Sequence, residues 1–293
     1  MPLGLNGKNI KMIKILVTGA TGQLGSELEV LSKKYTQFEW VFADRVQVSL
    51  DNLEVLQNQL EAISPNIILN CGAYTAVDKA ETEQELADTV NHLAVGIIAQ
   101  YAKDYSVKLI HISTDYVFDG TSSVALAEEA LTKPINVYGA SKRAGELACL
   151  KANSNAIIIR TSWVYSRFGN NFVKTMQRLL QERDSIGVVN DQIGSPTYAA
   201  DLAQAMMTIV TAKEWIPGIY NYSNEGEISW YEFVLAIQEI GGYTCEVNGI
   251  PSSAYPTPAK RPAYSLLDKS KIKRLYGVSV PDYKDSLRRC MRL

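Results

Sequence analysis

Residues 13–25 read Ile13-Lys-Ile-Leu-Val-Thr-Gly-Ala-Thr-Gly-Gln-Leu-Gly25, and this stretch is the strongest indication of the fold. An apolar run typical of a buried strand comes first, and three glycines then open a predicted helix. Glycines allow the backbone to approach a phosphate closely, and a helix N-terminus offers it free N–H groups and partial positive charge. The stretch therefore predicts a dinucleotide-binding loop with spacing G-x-x-G-x-x-G. Its candidate contacts are Gly19, Thr21, Gly22, Gln23, Leu24 and Gly25.

Short apolar runs alternate with helical segments after this loop, as far as about residue 165. Such alternation predicts parallel strands joined by crossover helices. The strands are continuously apolar, which is typical of a sheet buried on both faces. The fold class is therefore predicted as α/β, with a Rossmann-type doubly wound parallel sheet. The predicted strands are 13–18, 40–43, 66–69, 107–113 and 156–161, and the predicted helices in this half are 23–34, 51–62, 83–105 and 137–151.

The alternation of predicted strands and helices stops after Trp163. It is followed by a polar loop, a predicted helix over 172–183, a turn-rich stretch and a further predicted helix over 199–211. Long irregular segments in a compact protein are usually functional, and these predict a substrate cover. We expect a dinucleotide-binding domain over 12–165 plus about 197–222. A smaller C-terminal α/β substrate-binding domain is expected over about 166–196 plus 223–293. Residues 1–11 form a loose leader in this interpretation, and Met12 is a candidate alternative start.

Composition excludes several classes of function. A net charge of −2 with no basic run argues against nucleic acid as the main partner. The basic stretch 269–274 is interpreted as a solvated helix face. The four cysteines show no C-x-x-C spacing and fit reduced thiols in a cytoplasm, and His92 and His111 are interpreted as structural, so no metal ligand is assigned. No apolar stretch approaches the roughly 20 residues that span a bilayer.

Asp44 ends the second predicted strand, about 20 residues beyond the glycine loop, where an acid bonds a ribose 2′-hydroxyl and favours NAD. Arg45 beside it could instead meet a 2′-phosphate, or simply lie in solvent. The sequence therefore leaves NADH and NADPH both open.

Tyr138 and Lys142 lie four residues apart, so they share one face of a predicted helix. A neighbouring cation favours the phenolate and lowers a tyrosine pKa, which predicts an acid/base pair. Ser113 and Thr114 close the preceding predicted strand, where ligands of open parallel sheets gather. Either hydroxyl could polarise a carbonyl, and local sequence does not rank them.

The glycine loop, the strand-end hydroxyl and Tyr138-x-x-x-Lys142 together resemble the extended short-chain dehydrogenase/reductase family. Further motifs resemble its dTDP-4-dehydrorhamnose reductase branch, from about Met12 to the C-terminus. They are the segments 70–81, 113–118, 136–139, 160–165, 169–172, 190–197 and 256–265.

This resemblance implies NAD(P)H-dependent reduction of the C4 ketone of dTDP-4-dehydro-L-rhamnose to dTDP-L-rhamnose, the last step of dTDP-rhamnose biosynthesis. Tyr138 would protonate the forming alkoxide, Lys142 would hold the nicotinamide ribose and acidify Tyr138, and Thr114 would bond the carbonyl oxygen. The resemblance favours Thr114 over Ser113. Ala73 is a further cofactor-binding candidate. The implied contacts of the sugar nucleotide are Tyr116, Trp163, Asn171 and, near its diphosphate, Arg261.

Two rival interpretations remain at this point. One is another nucleotide-sugar enzyme of the extended family, such as a 4-epimerase that keeps its NAD bound. The other is a non-catalytic binding module resembling the regulatory subunit of methionine adenosyltransferase. Residues 114–116 read Thr-Asp-Tyr, whereas related 4,6-dehydratases carry Thr-Asp-Glu, which disfavours dehydration. Magnesium and a homodimer are described for some relatives and stay unassigned here.

Overall fold

The computed structural model of the chain describes residues 12–292, so the predicted leader over 1–11 lies outside the described residues. The strands in chain order are β1 (Ile13–Thr18), β2 (Phe38–Ala43), β3 (Ile67–Asn70), β4 (Lys108–Thr114), β5 (Ile157–Thr161), β6 (Val164–Tyr165), β7 (Ser185–Val189), β8 (Ile193–Gly194), β9 (Thr197–Tyr198), β10 (Gly218–Asn221), β11 (Ile228–Ser229) and β12 (Glu246–Ile250).

The α-helices in chain order are α1 (Gln23–Ser32), α2 (Leu53–Ile63), α3 (Val77–Ala80), α4 (Gln84–Asp88), α5 (Ala94–Asp104), α6 (Val137–Ala152), α7 (Phe172–Glu182), α8 (Ala199–Val210), α9 (Trp230–Gly241), α10 (Ser270–Tyr276) and α11 (Tyr283–Met291). A π-helical segment, Thr89–Leu93, joins α4 to α5. Short 3-10 turns occupy Asp115–Val117 and Ser252–Ala254.

A six-stranded parallel sheet forms the centre of the fold, in the order β10-β5-β4-β3-β1-β2. The chain moves from β1 outward to β2 and then returns to β3 on the other side of β1. The loops after β1 and β3 therefore diverge, which opens a crevice at the carboxyl ends of these strands. The predicted doubly wound α/β fold is confirmed.

Alternate residues of the strands supply the two cores on either side of the sheet. Ile15 and Val17 of β1 pack with α1 and α8 on one face, whereas Leu16 packs with α2 and α5 on the other. Because both faces are covered by helices, the strands read as continuous apolar runs rather than as alternating ones.

The helix predicted over residues 83–105 is interrupted by the π-helical segment. Within it, the Asn91 side chain accepts from Tyr74 N and donates to Tyr74 O, each at 2.9 Å. It also donates to Ser141 on α6 at 3.1 Å. The segment thus ties the loop after β3 to α6, a long-range arrangement that the local pattern does not encode.

A separate apolar cluster forms from the C-terminal half of the chain, and α7, α9 and α11 supply most of it. Beside it, β7 pairs with β12 in parallel and β8 pairs with β11 in antiparallel register. Helix α9 begins with a capping box, in which Ser229 and Glu232 satisfy each other's backbone N–H groups. Among the elements that the sequence did not predict are β7, β12, α9 and α11.

The segment after 269 does not lie wholly in solvent. Ile272 and Val278 are buried in the core against the central sheet. Their apolar side chains cover the edge near β10. The stretch 269–274 is also not a wholly solvated helix face, because Lys269 is buried against Glu225, with a separation of 3.3 Å.

Among residues 12–292, no helix is both long and apolar enough to cross a membrane.

Candidate active site

A cavity of about 840 Å³ lies at the carboxyl edge of the central sheet. Its walls come from the loops after β1, β2, β3, β4 and β5, so it sits in the crevice where the strand order reverses. The sequence-predicted residues that line it are Gly19, Thr21, Gly22, Gln23, Leu24, Gly25, Asp44, Arg45, Ala73, Thr114, Tyr116, Tyr138, Lys142 and Trp163.

The glycine loop is packed too closely for side chains at two of its glycines. A Cβ at Gly25 would lie 2.4 Å from the Gly19 carbonyl oxygen, and one at Gly19 would lie 2.6 Å from the Gly72 Cα. Gly19 also has φ +64°, a conformation that favours glycine. Gly22 caps α1 with no side-chain hydrogen bond, so the first-turn N–H groups face the cavity wall without a side-chain acceptor. This geometry fits a pyrophosphate.

A series of buried side-chain hydrogen bonds, which sequence reasoning missed, holds the glycine loop in place. Thr18 Oγ1 accepts from Gly72 N at 3.2 Å and donates to Asn70 Oδ1 at 2.6 Å. Asn70 Nδ2 lies 2.9 Å from His111 Nδ1. Burial, aided by nearby Lys142, holds the pKa of His111 well below its usual value, so this ring is neutral. The chain fixes the backbone after β3 against the glycine loop.

Asp44 and Arg45 line the cavity just after β2. The Asp44 carboxylate accepts from Val46 N at 2.9 Å and from Gln47 N at 3.0 Å, both through Oδ1. Its second oxygen remains available to a ligand, and the Arg45 guanidinium is exposed beside it. The structure thus leaves both predicted ribose contacts accessible.

Helix α6 presents Tyr138 and Lys142 to the cavity, as their spacing predicts. Asn136 caps this helix, accepting from Gly139 N at 2.7 Å. A Cβ at Gly139 would lie 2.2 Å from the Tyr116 carbonyl oxygen, so glycine allows α6 to approach the turn after β4. A fully buried ion pair, Glu146 Oε1 to Arg160 Nε at 2.8 Å, fixes α6 to β5.

The electrostatics of the pair differ from the sequence-based expectation. Burial raises the pKa of Tyr138 to about 12, opposed by an approach of the Thr114 side chain. Burial lowers the pKa of Lys142 to about 8, opposed by Glu146. Lys142 Nζ donates to the Ile112 carbonyl oxygen at 2.7 Å. In the free protein, desolvation therefore outweighs the acidifying effect on Tyr138 that the four-residue spacing predicted.

Thr114 ends β4 and caps the turn that follows. Its Oγ1 accepts from Tyr116 N at 3.2 Å and donates to Asp115 Oδ1 at 3.0 Å. The ring of Tyr116 packs edge-on against Tyr138, with centroids 5.5 Å apart. Ser113 and Thr114 both line the cavity, and Thr114 approaches the Tyr138 hydroxyl.

Trp163 forms the cavity wall opposite α6 and stacks on Trp230 of α9, with ring centroids 3.7 Å apart and planes 13° apart. Its backbone has φ +47°, which is strained for a bulky residue. A Cβ at Gly194 would lie 3.0 Å from the Trp163 ring. Sequence reasoning missed Trp230, which lies far from Trp163 in the chain, and it included Gly194 only as part of the motif at 190–197.

Two predicted substrate contacts do not line the cavity. Asn171 caps α7, accepting from Lys174 N at 3.1 Å and donating to Ser166 O at 2.6 Å, and its neighbour Asn170 reaches the cavity instead. Both functional ends of the Asn171 amide are therefore used within its own loop.

Arg261 is held by Asp78 of α3 in a two-point contact, with distances of 3.0 and 2.8 Å. The guanidinium keeps the pKa of Asp78 below its usual value. The predicted phosphate ligand is thus already paired with a carboxylate, although it lies close to Tyr116.

Across residues 12–292, no three His, Cys, Asp or Glu side chains are grouped as a metal site requires, so magnesium gains no support.

The chain is similar to proteins of known activity over nearly its whole length. A family model described as the RmlD substrate binding domain matches residues 13–293. The dTDP-4-dehydrorhamnose reductase of Aggregatibacter actinomycetemcomitans is 40% identical over 94% of this chain and 98% of that protein.

Solved structures agree with this similarity. A dTDP-4-dehydrorhamnose reductase from Clostridium acetobutylicum superposes with a TM-score of 0.92 at 34% identity, covering 96% of this chain and 99% of that one. The enzyme from Bacillus anthracis, solved in complex with NADP, superposes with a TM-score of 0.91 at 37% identity over the same shares.

Proposed function

The chain belongs to the RmlD substrate binding domain family, and from that premise we propose that it is an oxidoreductase that reduces the C4 ketone of dTDP-4-dehydro-L-rhamnose to dTDP-L-rhamnose. The observation that carries the proposal is the single cavity wall that brings Thr114, Tyr138 and Lys142 together beyond the glycine loop. These are a hydroxyl, a proton donor and a cation beside a dinucleotide cradle.

The first-turn N–H groups of α1 and the close-packed glycines would hold the pyrophosphate of NADPH or NADH. When bound, the nicotinamide supplies a hydride. Lys142, which is charged at neutral pH, would donate to the nicotinamide ribose hydroxyls once it leaves the Ile112 carbonyl. A charged Lys142 beside Tyr138 would then favour the phenolate form that burial alone disfavours.

Tyr138 would donate its proton to the oxygen of C4 as negative charge develops there. Thr114 would bond the same oxygen and hold the carbonyl in line. Tyr138 is largely buried, with 9% of the residue exposed, which limits the access of water to the proton transfer. The tyrosine keeps its proton until the substrate oxygen becomes a stronger base.

The sugar nucleotide would lie between Tyr116 and Trp163. Trp230 supports Trp163 from behind, so the ring is already fixed before the substrate binds. Asn170 replaces Asn171 as the residue that we expect to contact the substrate. We propose that the sheet half binds the dinucleotide and that the α7, α9 and α11 cluster carries the substrate side.

The test is to supply dTDP-4-dehydro-L-rhamnose, made in situ, and to follow the absorbance of NADPH and of NADH. We expect stoichiometric oxidation with release of the oxidised cofactor. Retention of the cofactor with no net oxidation would favour an epimerase, and no reaction with either cofactor would favour a binding module.

Cofactor preference is tested separately with Asp44→Ala. Asp44 lines the cavity and its two hydrogen bonds both go to Oδ1, so we expect this variant to weaken NADH more than NADPH. Equal weakening of both would show that Asp44 does not contact the ribose.

A further inference from the structure

Asp115 has a buried carboxyl with a spare oxygen at the catalytic wall. The residue is 1% exposed, and its Oδ1 accepts the Thr114 hydroxyl proton at 3.0 Å. Its Oδ2 has no hydrogen-bond partner among residues 12–292. Ser265 and the backbone N–H groups of Asp115 and Tyr116 lie near the carboxyl and lower its pKa, but none of them meets Oδ2 at hydrogen-bond geometry. A buried carboxylate with one oxygen unsatisfied is costly, so the arrangement calls for a functional reason.

The contact with Asp115 uses the single hydroxyl proton of Thr114. A hydroxyl has one proton and two lone pairs. The Thr114 proton points to Asp115, and one lone pair accepts from Tyr116 N. Thr114 therefore has no proton left for the C4 oxygen while Asp115 is ionised. Turning the hydroxyl toward the substrate would leave a buried carboxylate unpaired.

We propose that Asp115 gates the Thr114 hydroxyl: when protonated, its carboxyl donates to Thr114 Oγ1, and the Thr114 proton is then free to bond the C4 oxygen of the substrate. The proposal rests on the reductase function proposed above. Asp115 acts through Thr114 and is thus a positioning residue. No bond to carbon is made or broken at Asp115, and the proton that it takes up comes from solvent when the ternary complex forms.

The surroundings of the carboxyl favour proton uptake. Burial raises the pKa of Asp115 to about 6, opposed by Ser265 and Thr114. The groups that face it are Thr114 and Tyr116 beside it, Tyr138 from α6 and Ser265 from the segment after β12, and none of these four is a cation. Dinucleotide and sugar nucleotide both bring diphosphates into the cavity, and their negative charge raises the pKa further.

The direct test is proton uptake on binding. Calorimetry of dTDP-L-rhamnose binding to the enzyme–NADPH complex, in two buffers of different ionisation heat, gives the uptake in a complex that cannot react. At about pH 6.5 Lys142, with a pKa of about 8, is already charged and does not contribute. We expect wild type to take up a large fraction of one proton and Asp115→Asn to take up none. No uptake by wild type, or equal uptake by the variant, would overturn the gate.

A second readout is the pH profile of kcat. The amide N–H of Asp115→Asn can donate to Thr114 as the protonated acid does, so we expect the variant to keep wild-type kcat within about threefold at low pH. Wild-type kcat should fall about tenfold per pH unit above the pKa of Asp115 in the complex, whereas kcat of the variant stays flat up to the pKa of Lys142, about 8.

Asp119→Asn is the matched control, because Asp119 lies in the same loop and its carboxylate accepts from Thr121 N and Thr121 Oγ1 rather than from Thr114. We expect the control to follow the wild-type profile. Superimposable profiles for wild type and Asp115→Asn would contradict the proposal. If Asp115→Asn fails to fold, the wild-type uptake measurement still decides. A wild type that never oxidises NADPH with the substrate would instead contradict the reductase function.

Discussion

Replacing Lys142 by Met should make the protein more stable and less active. Burial lowers the pKa of Lys142 from 10.5 to about 8. At 1.36 kcal/mol per pKa unit, keeping this ammonium charged costs the folded state about 3 kcal/mol. Methionine has a similar volume and no charge, so it avoids this cost. The variant also loses the hydrogen bond from Lys142 to the Ile112 carbonyl, which lowers the gain in stability by about 1 kcal/mol. We therefore expect Lys142→Met to gain about 2 kcal/mol in the free energy of unfolding near neutral pH.

The sign of the pH dependence follows from the same shift. Between the folded pKa of about 8 and the unfolded value of 10.5, the unfolded chain holds one more proton than the folded protein. Wild-type stability therefore rises with pH across this window, and the advantage of Lys142→Met shrinks.

Urea unfolding at about pH 7 and about pH 9.5 measures this difference. Lys151→Met is the control, because Lys151 lies on the same helix with an exposed side chain. A control that shows the same gain would assign it to methionine rather than to Lys142. A Lys142→Met variant that is less stable than wild type at neutral pH would contradict this prediction. So would a stability difference between variant and wild type that is equally large at both pH values.

Three further changes test the packing and the chemistry. Gly145→Ala would place a Cβ 2.0 Å from a backbone oxygen of the π-helical segment. We expect urea unfolding to show that this variant loses about 1–3 kcal/mol in the free energy of unfolding. The control Gly96→Ala should show no such loss, because its Cβ would make only an ordinary contact at 3.6 Å. Trp230→Leu removes the ring that stacks on Trp163, so steady-state kinetics should show a higher KM for the sugar nucleotide and an unchanged KM for NADPH. An equal rise in the two KM values would contradict this role of Trp230. Tyr138→Phe should lower kcat about 10²–10⁴-fold while fluorescence titration shows cofactor affinity retained, and an unchanged kcat would remove Tyr138 as the acid.

The central fold is predictable because its signals are local. The apolar run before Gly19 and the alternation that follows give the sheet, and the four-residue spacing places Tyr138 and Lys142 on one helix face. Several predicted boundaries agree with the structure, and β1 begins and ends as predicted. Each of these patterns depends on residues close together in the chain.

What escaped prediction depends on partners distant in sequence. Trp230 lies far along the chain from the Trp163 ring that it supports, and Asp78 lies far from the Arg261 that it binds. The pKa of Tyr138 depends on burial, which the spacing of two residues does not report. Asn171 is the exception, because its partners are local: its amide oxygen caps α7 by accepting from Lys174 N, and its amide nitrogen donates to Ser166 O.

Transfer of deuteride is the measurement that tests the proposed chemistry most directly. NADPH carrying deuterium at the transferred position would be incubated with dTDP-4-dehydro-L-rhamnose and the wild-type enzyme, and the product would be read by NMR and mass spectrometry. We expect dTDP-L-rhamnose with one deuterium, at C4, and almost no product from Tyr138→Phe. Deuterium at another carbon, or product formed equally well by the variant, would contradict reduction of the C4 ketone with Tyr138 as the proton donor.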